Sequence, residues 1–558
     1  MKLSNTALEP FDISEYKGIS GKNFYLLDTT LQKIINHYSK EYDVNHKKSM
    51  EQHIEDYGAL VGGILNELTI ACNKEGKYGE VEKYDRVGNR IDMVIYSPEQ
   101  IESRRISYKY GIVNLDFHKD WKYAFTDLHR YALTYLTNMN GEGGVACPLA
   151  MTDGIIRGIK ALGTDSIKEK FLQLVAGEDS NSYFMAGQYV TERVGGSNVG
   201  ANRTRAKKIE DGKWILNGEK WFCSNPGDLW VTTAKLEDSN TIGMFLVPRI
   251  KEDGTLNGCH ILRKKDIIGS RGKITVETIY EDLEAYELGR PSHGLANLIQ
   301  YIIQTSRIHV SLGSIGMASR SYFEALEYVK TREAYGNKVI EFPSIQKNLA
   351  EMRIYQTTCM LTTFRVVSLM EKKSSLLSLL NPLMKYISTT HCTWLTKEAM
   401  LLHGGNGILG NFSVIPRILN DSIINETWEG THQVITEHVV KAIIRKKIRN
   451  EFFEMIQTNT SETNLKLNKL KEIMLIKISE LKNILDENSL EYLLFNRISI
   501  TEKIYEIFSL SELFSFASEE KFFLIALGYL ELIQRNKNEL VSKDSLFLDS
   551  ESIHKIIY

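Results

Sequence analysis

Residues 188–224 read QYVTERVGGSNVGANRTRAKKIEDGKWILNGEKWFCS. Val190-Thr191-Glu192 runs into Gly195-Gly196-Ser197, and alternating segments then lead to the aromatic pair Trp221-Phe222. Apolar-polar alternation broken by glycine turns is the pattern of strands. Glycine at such a turn lets the backbone approach a neighbour closely, because no Cβ intervenes. The stretch therefore reads as a sheet edge with something to hold.

On either side of it the same alternation recurs. Phe184–Thr191, Arg203–Ile209, Lys213–Leu216, Trp230–Ala234, Gly243–Pro248 and Val276–Leu283 have period two, with turns at Asp211-Gly212, Asn217-Gly218 and Asp253-Gly254. Short strands at near-regular spacing predict an antiparallel β-domain. Before it, Leu27–Tyr38, Tyr57–Cys72 and Cys147–Gly163 have helical spacing, and Tyr84–Tyr96 reads as a small extended piece. After it, Gly294–Thr331, Ser344–Leu369 and Pro382–Leu402 read as helices, the last stopped by Gly404-Gly405-Asn406-Gly407. Asp421–Lys447 continues the helical texture, and Thr458–Asn464 is a joint before a tail rich in Leu, Ile and Phe. The fold class expected is α+β. Its parts are an N-terminal helical domain (1–182), a central β-barrel domain (183–290), a helical bundle (291–450) and an extra helical tail (451–558).

The chain has 558 residues, enough for several domains, and its 43% hydrophobic and 25% charged composition is that of a globular protein with a core. A formal net charge of −2 gives no general pull toward nucleic acid or anionic membrane. The opening MKLSNTALEPFDISEY has no apolar core, so no secretory signal is expected. Runs such as Phe522–Leu530 are too short to span a bilayer. The six cysteines show no paired spacing, and the 13 histidines no ligand motif, so neither a disulfide frame nor a metal site is expected. Gly195-Gly196-Ser197 is not a dinucleotide fingerprint of the GxGxxG kind.

Five stretches occur in one order: Val190-Thr191-Glu192 with Gly195-Gly196-Ser197; Gly218-Glu219-Lys220-Trp221-Phe222; Thr331-Arg332-Glu333-Ala334-Tyr335-Gly336; His403-Gly404-Gly405-Asn406-Gly407; and Trp428-Glu429-Gly430-Thr431. Together they resemble the acyl-CoA dehydrogenase family. Arg193-Val194 before the glycines, Tyr84–Ile95, Cys147–Thr152, Trp221–Ser224 and the C-terminal block are most similar to its alkylation-response, AidB-like branch. The resemblance implies FAD held between β-domain and bundle, a homotetramer, and a cytoplasmic enzyme of fatty acid metabolism. Its reaction removes the α-proton of an acyl-CoA thioester and transfers the β-hydrogen to FAD, giving a 2-enoyl-CoA. Electrons then pass to an electron-transfer flavoprotein, or to oxygen in an oxidase relative.

Carried onto this chain, the resemblance makes Glu429 the catalytic base. A carboxylate alone is too weak for an α-proton, so its site must dehydrate the base and polarise the thioester carbonyl. The alternative reading of Glu429 is a helix-start carboxylate on the dipole. Gln188, Val190, Thr191, Gly196, Ser197, Phe222 and Ser224 would contact FAD, with Phe222 and Ser224 standing where the family has Trp and Thr. Arg332 would reach the pyrophosphate of the neighbouring subunit's FAD, with Tyr335, Gly404 and Gly405 nearby; its alternative is a helix-end cation. The family's glutamine before that bend is Leu401 here. Thr431 and Gln433 would touch FAD or form plain helix surface. Ser197, Arg307 and Gly430 would line the acyl-CoA site, Arg307 being equally readable as a structural ion pair.

The tail beyond residue 441 balances its basic and acidic side chains, and Arg445-Lys446-Lys447-Ile448-Arg449 is its one basic cluster. Leu465–Leu485 has an amphipathic pattern suited to core or oligomer contact. DNA is therefore not the expected partner. The competing reading is a flavoprotein of the alkylation-response type with little acyl-CoA turnover, acting by binding DNA or inactivating alkylating agents.

Overall fold

The computed structural model describes residues 16–177, 184–460, 467–535 and 540–558. Contacts divide the chain into two compact units. One takes the chain through Asp43, Ser314–Glu426 and His432–Tyr558; the other takes Val44–Gly313 and Thr427–Thr431.

The second unit contains the barrel. Among the described residues nine strands occur before residue 290: β1 (Glu80–Tyr84), β2 (Arg90–Ile95), β3 (Ala186–Tyr189), β4 (Arg205–Glu210), β5 (Lys213–Ser224), β6 (Leu229–Leu236), β7 (Ile242–Pro248), β8 (Cys259–Lys264) and β9 (Thr275–Glu287). β1 and β2 form a separate hairpin, the extended piece expected at 84–96. The others form one seven-stranded sheet in the order β3-β6-β4-β5-β9-β7, with β8 on β9. β7 pairs with both β9 and β6, so the ring closes and β6 has no bare edge there. Pairing is antiparallel except where β3 and β4 each run parallel to β6. Tyr189, Trp214, Leu216, Trp230, Phe245, Val247, Val276 and Leu283 fill the interior. They are the inward members of the period-two pattern.

Two strands differ from expectation. β5 continues to Ser224 through Asn217-Gly218, because the register shifts there and Gly218, at φ +153°, absorbs the irregularity as a bulge, not a chain reversal. β8 had no clear alternation: Leu262, Arg263 and Lys264 are exposed in succession past a register shift against β9.

Helices Val44–Gly62, Ile64–Cys72, Pro98–Tyr110, Asp127–Asn138 and Ala146–Leu162 belong to this unit. Pro98–Tyr110 is opened by a capping box of Ser97 and Gln100 and closed by Gly111 in the left-handed region. Ala146–Leu162 starts on Glu142, whose carboxylate accepts from the N–H groups of Gly144, Val145 and Cys147.

In the first unit, long helices Pro343–Glu371, Leu377–Leu402, His432–Ile443 and Arg497–Phe516 pack on one another. The helix expected from Pro382 starts at Leu377, because burial of Leu379 and Leu380 extends it upstream of the proline. The tail forms Lys446–Asn459, Asn468–Glu487, Arg497–Phe516 and Glu520–Gln534. Asn468–Glu487 buries Leu470, Met474, Ile478, Leu481 and Leu485, the stripe foreseen for 465–485. Part of the expected joint, 461–464, lies outside the described residues. The basic cluster opens a helix: Arg445 is the N-cap residue of Lys446–Asn459. Arg445 donates to Ser378 Oγ and Arg449 pairs with Asp486, so both have partners within the chain, at its surface. No helix among the described residues is long and apolar enough to cross a membrane.

Candidate functional site

The turn at 190–197 is fixed from behind by charge. Lys220, on β5, lies 2.8 Å from Glu192, and both side chains are sealed from solvent. Glu192 also accepts from the N–H groups of Arg203 and Thr204 and from Thr204 Oγ1. Burial pushes the Glu192 carboxyl up, but Lys220 and these donors outweigh it and hold it below the usual range. Burial pulls the Lys220 ammonium down, with Glu192 opposing. Trp221 N–H donates to Thr191 O at 2.8 Å, and Asn202 Nδ2 to Val190 O at 2.8 Å, so the turn is tied to β5 and to the chain beyond it.

The outer face of this turn is open. Gly196 and Ser197 are exposed. A Cβ at Gly196 would come within 2.7 Å of Thr191 Oγ1, so the close approach requires glycine. Phe222 is 47% exposed on β5. Ser224 Oγ is 3.1 Å from Thr275 Oγ1 on β9. Next to Ser224, Asn225 sits at φ +52° and accepts on Oδ1 from Arg104 and Tyr96, while Tyr189 OH donates to its carbonyl. This asparagine fixes the end of β5 against the helical part of the unit.

One observation bears on FAD. Gln188 Oε1 is buried and has no hydrogen-bond partner. A buried acceptor left unmade costs about 1–3 kcal/mol, which a ligand donor would recover. It sits on β3, two residues before Val190, and could accept from a ligand N–H such as that of a flavin ring. These residues fit the group.

Glu429 belongs to the same unit. It is not a helix-start residue: it stands at φ +55°, followed by Gly430 at φ +109°, in the break between helices Ile415–Thr427 and His432–Ile443. Left-handed backbone at a carboxylate residue is uncommon and clusters where function needs it. Arg307, buried on helix Gln304–Thr331, donates from Nε to Glu429 O at 3.2 Å. Burial pulls that guanidinium below its ordinary value and the Glu429 carboxylate acts against this. Lys273 lies with Nζ 4.5 Å from the Trp428 ring centroid. Cys147 is within reach of the charges on both Lys273 and Glu429, and burial pushes its thiol up to about 12, so it stays protonated. Glu429 is half-buried and Thr431 exposed.

The remaining expected residues lie in the other unit. Tyr328 joins them: its carbonyl accepts from Arg332 N–H, its hydroxyl accepts from Asn406 Nδ2, and its ring stacks on His403 at 4.4 Å. Tyr16 closes the set by donating to Glu324 and meeting His403 Nε2 at 3.1 Å. Thus Tyr328, one helical turn before Arg332, ties its helix to the Gly404–Gly407 bend. Gly404 and Gly405 are exposed, with nothing near a notional Cβ, whereas Gly407 packs on Met400 O. Tyr335 is almost fully exposed at φ +53° in the turn of a two-residue hairpin. Leu401 is exposed, and Gln433 Oε1 accepts from Arg497. Sequence reasoning missed Lys220, Lys273 and Asn225. The signal for Lys220 was a charged residue at an inward position of an otherwise apolar alternation.

The closed β-barrel and the helices of both units make up a fold shared with solved acyl-CoA dehydrogenases. Residues 187–283 match the acyl-CoA dehydrogenase middle domain and 293–444 its C-terminal domain, and residues 16–180 match the adaptive response protein AidB N-terminal domain. The chain belongs to the acyl-CoA dehydrogenase family, with an N-terminal domain of the AidB kind. It is 26% identical to acyl-CoA dehydrogenase family member 11 of Caenorhabditis elegans over 449 residues, covering 75% of this chain and 72% of the relative. It is 24% identical to the putative acyl-CoA dehydrogenase AidB of Escherichia coli over 440 residues, covering 76% and 79%. The crystal structure of Caenorhabditis elegans ACDH-11 in complex with C11-CoA superposes with TM-score 0.82 at 22% identity, over 97% of this chain and 91% of that one.

Proposed function

We propose that the protein is an FAD-dependent acyl-CoA dehydrogenase with Glu429 as its base. FAD, when bound, supplies the acceptor for the hydrogen and two electrons leaving the β-carbon. The chain's own residues do the rest. Glu429 takes the α-proton of the thioester; the C–H bond electrons form the new α,β double bond, and a 2-enoyl-CoA leaves. The observation that carries this reading is the left-handed Glu429-Gly430 break with its carbonyl held by Arg307. That clamp fixes the backbone that carries the carboxylate, and positioning of this kind supplies much of a proton-transfer rate.

In this reading Gln188, Val190, Thr191, Gly196, Ser197, Phe222 and Ser224 meet the flavin ring and its chain. Arg332, with Tyr335, Gly404 and Gly405 nearby, meets the pyrophosphate of the neighbouring subunit's FAD, and Thr431 and Gln433 touch FAD. Ser197, Arg307 and Gly430 face the acyl-CoA. The parts are 1–182, 183–290, 291–450 and 451–558, assembled as a cytoplasmic homotetramer that acts in fatty acid metabolism and passes electrons to an electron-transfer flavoprotein. The C11-CoA bound by the nematode relative supports an acyl-CoA as substrate.

The match of residues 16–180 to the AidB N-terminal domain favours a second reading, a flavoprotein with little acyl-CoA turnover. An anaerobic screen of straight and branched acyl-CoA thioesters, following the oxidised flavin band, separates the two. Bleaching by one of them supports the dehydrogenase; yellow protein that none of them bleaches supports the second reading.

A further inference from the structure

Lys273 is 2% exposed, on the turn that leads into β9. Its ammonium donates to Thr275 Oγ1 at 2.9 Å and lies against the Trp428 ring. Among the described residues no carboxylate lies within ion-pairing distance of it. A buried cation satisfied by a hydroxyl and an aromatic face is an expensive arrangement to keep for packing alone.

Thr275 Oγ1 is in turn 3.1 Å from Ser224 Oγ, across the β5–β9 register pair Ser224 and Thr275. A lysine ammonium only donates, whereas a hydroxyl has one proton to give. Thr275 Oγ1 keeps a second lone pair after accepting from Lys273, but the ammonium charge beside it opposes a further donated proton and favours the arrangement in which the Thr275 O–H points to Ser224. Ser224 Oγ then accepts, and its own proton is left for another acceptor.

We propose that Lys273 is a positioning residue that sets the direction of the Thr275–Ser224 hydroxyl chain, so that Ser224 presents its O–H as a donor to the flavin. This rests on the flavin reading above, in which Ser224 meets the ring. A donor there stabilises the electron-rich reduced cofactor more than the oxidised one. The chain carries no proton and no bond breaks in it; it orders donors and acceptors.

The test is the flavin's reduction poise, measured anaerobically against a reference dye in wild type, Lys273→Met, Thr275→Val and Thr275→Ser. Lys273→Met and Thr275→Val each lower the ratio of reduced to oxidised flavin at a given poise by about tenfold, about 30 mV for a two-electron couple. Thr275→Ser, which keeps the hydroxyl, stays at the wild-type value. An unchanged ratio in Lys273→Met and Thr275→Val overturns the proposal. So does a change in only one of the two, because the lysine would then act through space or the threonine without it. Loss of flavin from both folded variants overturns it as well, since the chain would then retain the cofactor and not tune it. If Lys273→Met does not fold, Thr275→Val, of nearly equal volume, carries the decision. Wild-type protein that binds no FAD fails the flavin reading itself, a result distinct from all of these.

Discussion

Lys220 and Glu192 meet at 2.8 Å in a position closed to solvent, 28 residues apart in the chain. The pair clamps the glycine turn to β5, so the open outer face of residues 195–197 rests on a rigid back. Removing one partner strands the other charge. Lys220→Met is expected to lower unfolding stability by about 3–5 kcal/mol. Glu192→Gln combined with Lys220→Met recovers part of the loss. Urea unfolding reads both, and a cost within about 0.5 kcal/mol, the range of an ordinary surface change, would show that the clamp is dispensable.

Acid acts on a different place in the same unit. His53 Nδ1 and His129 Nε2 are 2.9 Å apart beside Trp121 and Tyr110. Burial lowers His53 from 6.5 to about 4, and burial with the charge of His53 holds His129 well below its usual value. The unfolded chain then binds more protons than the folded one between those pH values, so stability rises with pH across the window. It is complete above about pH 6.5 and declines as pH falls toward 4. Urea midpoints between pH 7 and 4 are expected to fall in wild type and to fall less steeply in His53→Gln. Parallel slopes would remove this pair from the acid response.

Arg332 follows helix Gln304–Thr331 and shares Tyr328 with the Gly404–Gly407 bend. A guanidinium there suits paired bonds to phosphate oxygens. Arg332→Ala is expected to weaken FAD retention about tenfold or more, seen as flavin lost on gel filtration, because hydrogen bonds to charged groups contribute about 1.5–3 kcal/mol. Unchanged retention would leave Arg332 as a helix-end cation.

Much of this was legible in the residues. Period-two alternation located β3, β6, β7 and β9, whose inward faces give Tyr189, Trp230, Phe245, Val247, Val276 and Leu283 to the barrel core; β4 gives it only Ala206. β8 escaped because it adds to β9 at an edge, where three successive side chains face water. The full length of β5 escaped because Asn217-Gly218 reads as a turn in sequence, and only the opposing strand decides between a turn and a bulge. Of the candidate site, the glycine turn and Trp428–Thr431 were found through the resemblance that five ordered stretches together bear to a known family. Lys220–Glu192 and Lys273–Thr275–Ser224 did not. Each joins ordinary residues whose proximity exists only once the barrel closes.

The central claim is that Glu429 takes the α-proton, and the most direct measurement is anaerobic stopped-flow reduction of Glu429→Gln beside wild type. With an acyl-CoA that bleaches wild type, the variant is expected to keep its yellow colour and lose bleaching by about 10²–10⁴-fold, since an amide cannot accept the proton. Bleaching at the wild-type rate in Glu429→Gln would place the base elsewhere and contradict the account.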